Sequence, residues 1–154
     1  CKRMGISYTL VRFFNIYGRG QLPMYIVPQV LRQIADEGRV EVRNGSVMRD
    51  LLYVDDCVDA VLKLVVTEDA ADSIFNIGSG HMVSIADIAK TGVKVSGNHN
   101  AEYTDLEQKI EYSPTAIMAD IDKLQSVINW NPICGLEEGL QRMWDSDFKK
   151  SAGG

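Results

Sequence analysis

The sequence predicts an α/β fold in which a few parallel strands are covered by amphipathic helices. The run Tyr8 to Phe14 is almost continuously apolar, which is typical of a strand with both faces covered. A second short apolar run, Ser73 to Ile77, predicts another strand, and segments with helical apolar spacing lie around it. The 154 residues are enough for one domain with a substantial core.

The composition argues against several classes of partner. The net charge of −5 is the wrong sign for nucleic acid, which needs a basic stripe. No apolar stretch reaches the roughly 18 residues of a membrane span, and no signal peptide is visible. Cys1, Cys57 and Cys134 form no C-x-x-C pair, and neither His81 nor His99 has a partner at ligand spacing. We therefore expect a cytoplasmic protein with free thiols and no metal site.

Local signals run in order through the first half of the chain. The apolar residues from Ile26 to Ala35 share one face of a predicted helix, which Gly38 closes. Arg39 to Arg43 alternates as a short strand. The dipeptide Asn44-Gly45 then predicts a hairpin turn into a second strand, Leu51 to Val54.

A helix is predicted directly after that second strand. Asp55 or Asp56 is expected to be its N-cap, because an aspartate side chain accepts hydrogen bonds from the first unpaired amides. Four apolar side chains share one stripe that we expect to face a core: Val58, Val61, Leu62 and Val65.

The segment after Ile77 is punctuated by glycine. We interpret Gly78-Ser79-Gly80 as a tight strand-to-helix connection, because it fits neither G-x-G-x-x-G nor a Gly-Lys-Ser/Thr phosphate loop. Ser84 with Asp87 resembles a capping box. Gly92 and Gly97 are expected to make the helix that follows short or irregular.

The last third of the sequence is more polar at its start. Residues 98–118 lack clear periodicity, with a short strand expected at Glu102 to Thr104. Asp120 is predicted to cap a helix that Asn131-Pro132 ends, since the residue before a proline avoids helical geometry. A final amphipathic helix is predicted from its apolar residues, Leu136, Leu140, Met143, Trp144 and Phe148. Residues 151–154 are expected to be a disordered tail.

Two polar residues are candidates for ligand binding. Asn15 follows the first strand, where open α/β sheets bind ligands, although an asparagine there also serves as a simple turn cap. Arg49 stands beside the predicted turn and could hold a diphosphate through two parallel hydrogen bonds. The alternative for Arg49 is a surface ion pair, worth about 0–1 kcal/mol. No Ser-His-Asp or Cys-His arrangement is persuasive.

Four motifs, taken in order, resemble the NAD-dependent epimerase/dehydratase family, the extended short-chain dehydrogenases that act on nucleotide sugars. The family's Arg-x-x-Asn-x-Tyr-Gly-x-Gly-Gln resembles Arg12 to Gln21, and its Arg-Asp…Tyr-Val-Asp-Asp motif resembles Gly45 to Asp56. Its Asn-Ile-Gly-Ser-Gly is similar to Asn76 to Gly80, and its Ala-Asp-x-x-Lys through Trp-x-Pro resembles Ala119 to Pro132. The match is specific because all four motifs occur in the family's order.

The resemblance implies that this chain is the second part of a larger enzyme. The family's glycine-rich NAD loop and its catalytic Tyr-x-x-x-Lys belong to an upstream Rossmann half. Residues 1–150 are therefore expected to be the C-terminal substrate-binding portion of a Rossmann-type protein, with a few parallel strands and a small mixed α/β lobe. NAD or NADP would serve the complete enzyme and not bind this chain tightly.

The same resemblance implies two possible functions. In the first, the chain binds a nucleotide sugar and is inactive alone, and the sequence does not separate epimerase from dehydratase or reductase. In the second, it is a non-catalytic binding or scaffold module, which self-associates as a homo-oligomer or complements a separate Rossmann chain.

The resemblance also assigns roles to residues. Asn15 would hydrogen-bond a UDP-, dTDP-, CDP- or GDP-linked sugar, and Arg49 would hold its diphosphate. The stretch Pro28 to Leu31 would border the nucleotide. Asn15, Tyr17 and Gly18 would approach the nicotinamide end of NAD.

Lys109 marks a departure from the family. Many members carry an arginine in this segment as a second diphosphate ligand, whereas residues 105–118 offer only Lys109. A lysine is a point charge without the guanidinium fork, so diphosphate binding here would be weaker or arranged differently.

Overall fold

The computed structural model describes residues 1–98, 100–106 and 116–149. The α/β class is confirmed, because parallel strands alternate with helices along these residues. The strands are β1 (Thr9–Phe13), β2 (Asn15–Tyr17), β3 (Arg39–Arg43), β4 (Met48–Tyr53), β5 (Ser73–Ile77), β6 (Met82–Ser84), β7 (Glu102–Leu106) and β8 (Ala116–Ile117). The helices are α1 (Ile26–Glu37), α2 (Val54–Val65), α3 (Ile85–Ser96), α4 (Asp122–Ile128) and α5 (Leu136–Met143), and a π-helical turn, Trp144–Phe148, continues α5.

Consecutive strands β1 and β2 belong to different sheets. β1 pairs in parallel with β5, whereas β2 pairs in parallel with β4. The switch takes one residue, Phe14, whose N–H donates to the carbonyl of Ile77 at 2.9 Å. The expectation that this strand is covered on both faces is wrong: Leu10 and Phe13 are 52% and 53% exposed. An apolar run shows that a segment is hydrophobic, but it does not show how many of its faces are covered. In β1, only Val11 packs against the core.

The predicted hairpin at Asn44-Gly45 is also wrong, although a turn is present. Asn44 has a φ of 56°, and its carbonyl accepts from the Val47 N–H at 3.0 Å. However, β3 pairs in parallel with β7, while β4 pairs with β2, β6 and β8. The Gly45 N–H donates to Asp105 Oδ1 at 2.9 Å, so the turn joins two sheets. Pairing with distant strands has overridden the local signal.

The expected capping role of Asp55 and Asp56 is wrong. The N-cap of α2 is Tyr53, without a side-chain cap, and both aspartates lie inside the first turn. Asp56 is buried and its Oδ2 accepts from the N–H groups of Ile133 and Cys134, at 3.1 and 2.8 Å. This carboxylate therefore ties α2 to the segment that precedes α5.

The buried face of α2 differs from the predicted stripe. Val58, Leu62 and Val65 are exposed, with Leu62 at 61%, and only Val61 is partly buried. The face that packs against the buried side chains of β4 and β5, among them Leu52 and Phe75, carries Cys57, Ala60 and Leu64 instead. Both stripes have helical spacing, so periodicity alone could not choose between them.

Helix α3 is regular over 12 residues, which corrects the expectation of a short or irregular helix. The capping box of Ser84 and Asp87 is confirmed. Gly92 lets α3 approach α1, since a Cβ there would lie 3.0 Å from the Ile34 side chain. Gly78-Ser79-Gly80 leads into β6 and not directly into the helix, so that part of the expectation is wrong.

The elements after residue 100 are of the types that the sequence predicts. The strand expected at Glu102 is β7, and α5 with its π-helical turn forms the last amphipathic segment. Helix α4 has Ile121 as its N-cap, while Asp120 Oδ1 accepts from the first helical N–H at 3.1 Å. The helix ends at Ile128, before Asn131-Pro132. Residues 151–154 lie outside the described residues.

The buried side chains form two cores. The lobe core lies between α1, α3, α5 and β3, and its largest members include Leu31, Ile88 and Met143. The sheet core lies between β5, α2 and α4, and it includes Phe75 and Trp130. No described helix is both long and apolar enough to span a membrane.

Candidate functional site

A cleft of about 530 Å³ lies where β2, β4 and the start of α1 meet. Its polar lining includes Asn15, Gln21, Tyr25 and Arg49. The structure therefore brings together the two residues that the sequence selects for ligand binding.

Asn15 reaches the cleft because it follows β1 and opens β2. Its side-chain Nδ2 donates to the backbone carbonyl of Asp50 at 3.0 Å, which ties it to the neighbouring strand β4. The amide is exposed on the cleft side and offers both a donor and an acceptor.

Arg49 reaches the cleft through the alternation of β4. Side chains of a strand point to opposite faces in turn, so Arg49 and Leu51 line the cleft while Asp50 and Leu52 are buried behind it. The guanidinium is half-buried, and its Nη1 donates to the Met48 carbonyl at 2.8 Å. Among the described residues that line this cleft, Arg49 carries the only formal charge.

Pro28 and Leu31 do not line this cleft. Both are buried in α1, and Leu31 is 0% exposed within the lobe core. The residues of α1 that do border the cleft are Ile26 and Val27, the first two residues of the helix. A role for Pro28 to Leu31 at the nucleotide stays a prediction, and it would act through the position of α1.

Tyr17 is packed into the lobe core. It is buried, stacks edge-on against Tyr53 at 5.5 Å between ring centroids, and has its hydroxyl against Gly139 of α5. Burial is the main cause that raises the pKa of this hydroxyl well above its ordinary value. At Gly18, a Cβ would collide with the Val54 side chain. The approach of Asn15, Tyr17 and Gly18 to a nicotinamide stays a prediction.

The glycine-rich loop typical of dinucleotide binding, G-x-G-x-x-G, does not occur in this sequence. The Tyr17 hydroxyl is already packed. Lys109, the expected second diphosphate ligand, lies outside the described residues. In the described part of the chain, no cluster of three or more His, Cys, Asp or Glu could hold a metal ion.

Sequence reasoning missed three residues of this region. Gln21 and Tyr25 line the cleft from the loop before α1. Gln21 is the last residue of the Arg12 to Gln21 motif, and the only signal for Tyr25 is its proximity to that motif. Asp50 is the third, a fully buried carboxylate behind Arg49. A charged residue at an inward position of a strand was its available signal.

Comparison with known proteins gives the family. The sequence profile of the NAD dependent epimerase/dehydratase family matches residues 1–78, just over half of the 154 residues. The chain belongs to this family.

Relatives of this chain include enzymes that are named for UDP-sugars. The UDP-glucose 4-epimerase of Lactobacillus helveticus is 28% identical over 151 residues, which cover 85% of this chain and 45% of that protein. UDP-glucuronic acid decarboxylase 5 of Arabidopsis thaliana is 29% identical over 158 positions, with 99% of this chain and 44% of that protein covered.

Solved structures of the same family have the same fold. The Thermotoga maritima UDP-glucose 4-epimerase, crystallised with UDP-glucose, matches with a TM-score of 0.82 at 26% identity, over 94% of this chain and 47% of that one. The Bacillus cereus UDP-glucuronic acid 4-epimerase, in complex with UDP-glucuronic acid and NAD, matches with a TM-score of 0.81 at 27% identity, over 94% and 46%. The epimerase/dehydratase chain described here thus spans less than half the length of the relatives it matches.

Proposed function

We propose that this chain is the nucleotide-sugar-binding portion of an NAD-dependent sugar epimerase or dehydratase. The observation that carries the proposal is the convergence of Asn15 and Arg49 on one cleft of about 530 Å³. A cleft of this size is in the range that holds a small organic ligand.

The charge of the cleft favours a diphosphate. The chain carries a net charge of −5, yet the single charged side chain among the described lining residues is the cation Arg49. A guanidinium that lines a mostly apolar cleft is chemically suited to a phosphate-bearing ligand. The guanidinium can take two phosphate oxygens through parallel hydrogen bonds, which a lysine cannot reproduce.

The remaining lining suits the nucleotide and the sugar. Tyr25 lies half-exposed on the cleft and offers an aromatic ring to a base, while Ile26 and Val27 offer apolar surface. Asn15 offers hydrogen bonds to hydroxyl groups. The relatives support this assignment, because the Thermotoga maritima enzyme was crystallised with UDP-glucose.

The role of these residues is to bind and orient the substrate. When bound, the nicotinamide of the family's cofactor accepts and returns a hydride. The sequence contains neither a G-x-G-x-x-G loop nor a Tyr-x-x-x-Lys. The chain alone is therefore inactive, and turnover of a nucleotide sugar by this chain with NAD would overturn that part of the proposal.

Calorimetric titration of the chain with UDP-, dTDP-, CDP- and GDP-sugars, with NAD as a control ligand, tests the binding function. We expect saturable binding of one nucleotide series and no tight binding of NAD. Arg49→Ala should raise the Kd of that series by roughly tenfold to a hundredfold, since a hydrogen bond to a charged group is worth about 1.5–3 kcal/mol.

A matched control separates the cleft from general electrostatics. Arg43→Ala removes the same charge from an exposed position on β3, outside the cleft, and should leave the Kd unchanged. Equal Kd values for Arg43→Ala and Arg49→Ala would contradict the proposed site.

A scaffold module is the second candidate, and the exposed stripe of α2 favours it. Val58, Leu62 and Val65 form an apolar helix face in solvent, and such patches mark interfaces. Under this function the chain self-associates through α2. Asn15→Ala and Arg49→Ala would then leave this self-association unchanged. Light scattering that shows a clean monomer at high concentration would count against it.

A further inference from the structure

A buried carboxylate lies directly behind the cleft. Asp50 is 0% exposed, and its carboxylate accepts four hydrogen bonds from described residues. Its Oδ1 accepts from the N–H of Ser79 at 2.6 Å and from the Ser79 hydroxyl at 2.8 Å. Its Oδ2 accepts from the N–H groups of Gly80 and Ala119, both at 3.0 Å. Every donor comes from a segment far from Asp50 in sequence.

The Gly78-Ser79-Gly80 turn is shaped around this carboxylate. A Cβ at Gly78 would collide with the Ala119 side chain and lie 2.9 Å from Asp50 Oδ2, and Gly80 has a φ of 72°. The single Ser79 hydroxyl proton has two acceptors in range, Asp50 Oδ1 and the His81 carbonyl, and the carboxylate is the stronger one. Successive backbone N–H groups of this kind bind anions, and here the anion is internal.

The same residue also holds the cleft from its other side. The backbone carbonyl of Asp50 accepts from Asn15 Nδ2 at 3.0 Å, and Arg49 precedes Asp50 in β4. One residue thus anchors β4 to two loops through its side chain and fixes Asn15 through its backbone. A site held within a fraction of an ångström needs such support from behind.

We propose that Asp50 is the positioning residue of the cleft: its buried carboxylate fixes β4, and β4 in turn fixes Arg49 and, through the Asp50 carbonyl, Asn15. This inference rests on the proposed function, since the geometry it maintains is that of the nucleotide-sugar site. Removing the carboxylate would release the Ser79–Gly80 turn and Ala119, and β4 would then present Arg49 and Asn15 at a less defined separation.

Asp56 provides a matched control for this role. It is also a buried carboxylate that accepts from backbone N–H groups of a distant loop, those of Ile133 and Cys134. It lies in α2, and neither it nor its two partners lines the cleft. A merely structural role predicts the same behaviour for Asp50→Asn and Asp56→Asn once their stabilities are compared.

The test measures the cleft in two independent ways for both variants. The first is the NMR signal of the Asn15 side-chain amide and of Arg49 Nε in the free chain. The second is the Kd for UDP-glucose at equal folded fraction. We expect Asp50→Asn to shift or broaden both signals and to raise the Kd at least about tenfold, as loss of an outer supporting partner typically does. Asp56→Asn should leave both readouts as in the unmodified chain.

Unchanged Asn15 and Arg49 signals in Asp50→Asn, or signals that change equally in Asp56→Asn, would overturn the inference. If the unmodified chain does not bind UDP-glucose, the proposed binding of that nucleotide sugar is wrong. The NMR signals of Asn15 and Arg49 in the free chain still decide whether Asp50 positions them. If Asp50→Asn does not fold, Ser79→Ala replaces it, with Ser126→Ala as control. Ser126 donates to Lys123 on the surface of α4, so only Ser79→Ala should move the Asn15 signal.

Discussion

The two cores of this chain are enclosed to different degrees. In the lobe core, none of the exposed large apolar side chains of the described residues lies on α1, α3 or α5. Around the sheet core, β1, β5 and α2 carry several of them: Leu10, Phe13, Val58, Leu62, Val65 and Ile74. The lobe thus buries its own apolar surface, whereas the sheet layer presents apolar surface outward.

This difference in exposure indicates which part of the chain is stabilised by its own packing and which part is suited to contact a partner. Helix faces that pack on each other around Leu31 and Met143 make the lobe a complete unit. The β1–β5 layer has apolar faces that a partner would bury, and the chain spans less than half the length of its relatives. Burying apolar area is favourable at about 25 cal/mol per Å², so these faces are the surfaces that gain most from being covered.

The largest expected effect concerns the two faces of α2. Leu64 is 4% exposed in the sheet core, whereas Leu62, two residues earlier, is 61% exposed. Leu64→Ala should lower the free energy of unfolding by about 2–4 kcal/mol, while Leu62→Ala should stay within about 0.5 kcal/mol. Urea denaturation followed by circular dichroism measures both.

Equal losses in these two variants would mean that α2 is covered on both faces, for example by self-association. Repeating the denaturation at several protein concentrations separates the two explanations, because only an associated state depends on concentration.

A smaller effect compares two tightly packed glycines. A Cβ at Gly78 would collide with Ala119, a rigid neighbour, whereas one at Gly92 would meet side-chain methyl groups of Val30 and Ile34 that can move. Gly78→Ala should cost about 1–3 kcal/mol through overpacking. Gly92→Ala should cost less, since alanine gains about 1 kcal/mol of helix propensity. Thermal unfolding ranks the two, and a larger loss for Gly92→Ala would contradict the expected rigidity of the sheet core.

The smallest effect is a pH dependence in the lobe. Hydrogen bonds from the Ser84 side chain and backbone lower the pKa of Asp87 below its ordinary value of 3.8. A lowered folded pKa means that this cap stabilises the chain above pH 3.8 and is lost as the pH falls through the folded value. Asp87 is exposed, so Asp87→Asn should cost only a few tenths of a kcal/mol at pH 7.

Stability curves of Asp87→Asn and the unmodified chain should therefore converge as the pH falls through the lowered folded pKa of Asp87. A difference between them that persisted or grew in acid would show that the capping box does not act through the ionised carboxylate.

Local features were predictable from sequence and long-range ones were not. The bounds of β3 and β5 and the capping box at Ser84 follow from neighbours in the chain, and the structure confirms them. The partner of β3 and the exposed stripe of α2 depend on distant elements. Asp56 shows the difference within one residue: its sequence context favours a cap, but Ile133 and Cys134 capture its carboxylate.

The candidate site follows the same division. Asn15 and Arg49 were selected by their positions next to strands and by resemblance, and both line the cleft. The depth of Leu31, the orientation of Tyr17 and the hydrogen bonds of Asp50 depend on how α1, α5 and the Ser79 turn pack. Such packing is set by three-dimensional neighbours, which one sequence does not display.

The hydrogen bond that joins Asp50 to Ala119 has a consequence for the speed of folding. Its two residues are 69 positions apart, and the bond from Thr9 to the Ala70 carbonyl closes 61 positions. Loops of this length must be ordered before the contacts that stabilise them can form, so we expect folding to be slower than in helical bundles of similar size. Until these long-range contacts have formed, the apolar strands stay exposed and can aggregate with those of other molecules. Dilution during refolding is therefore expected to raise the yield of native protein.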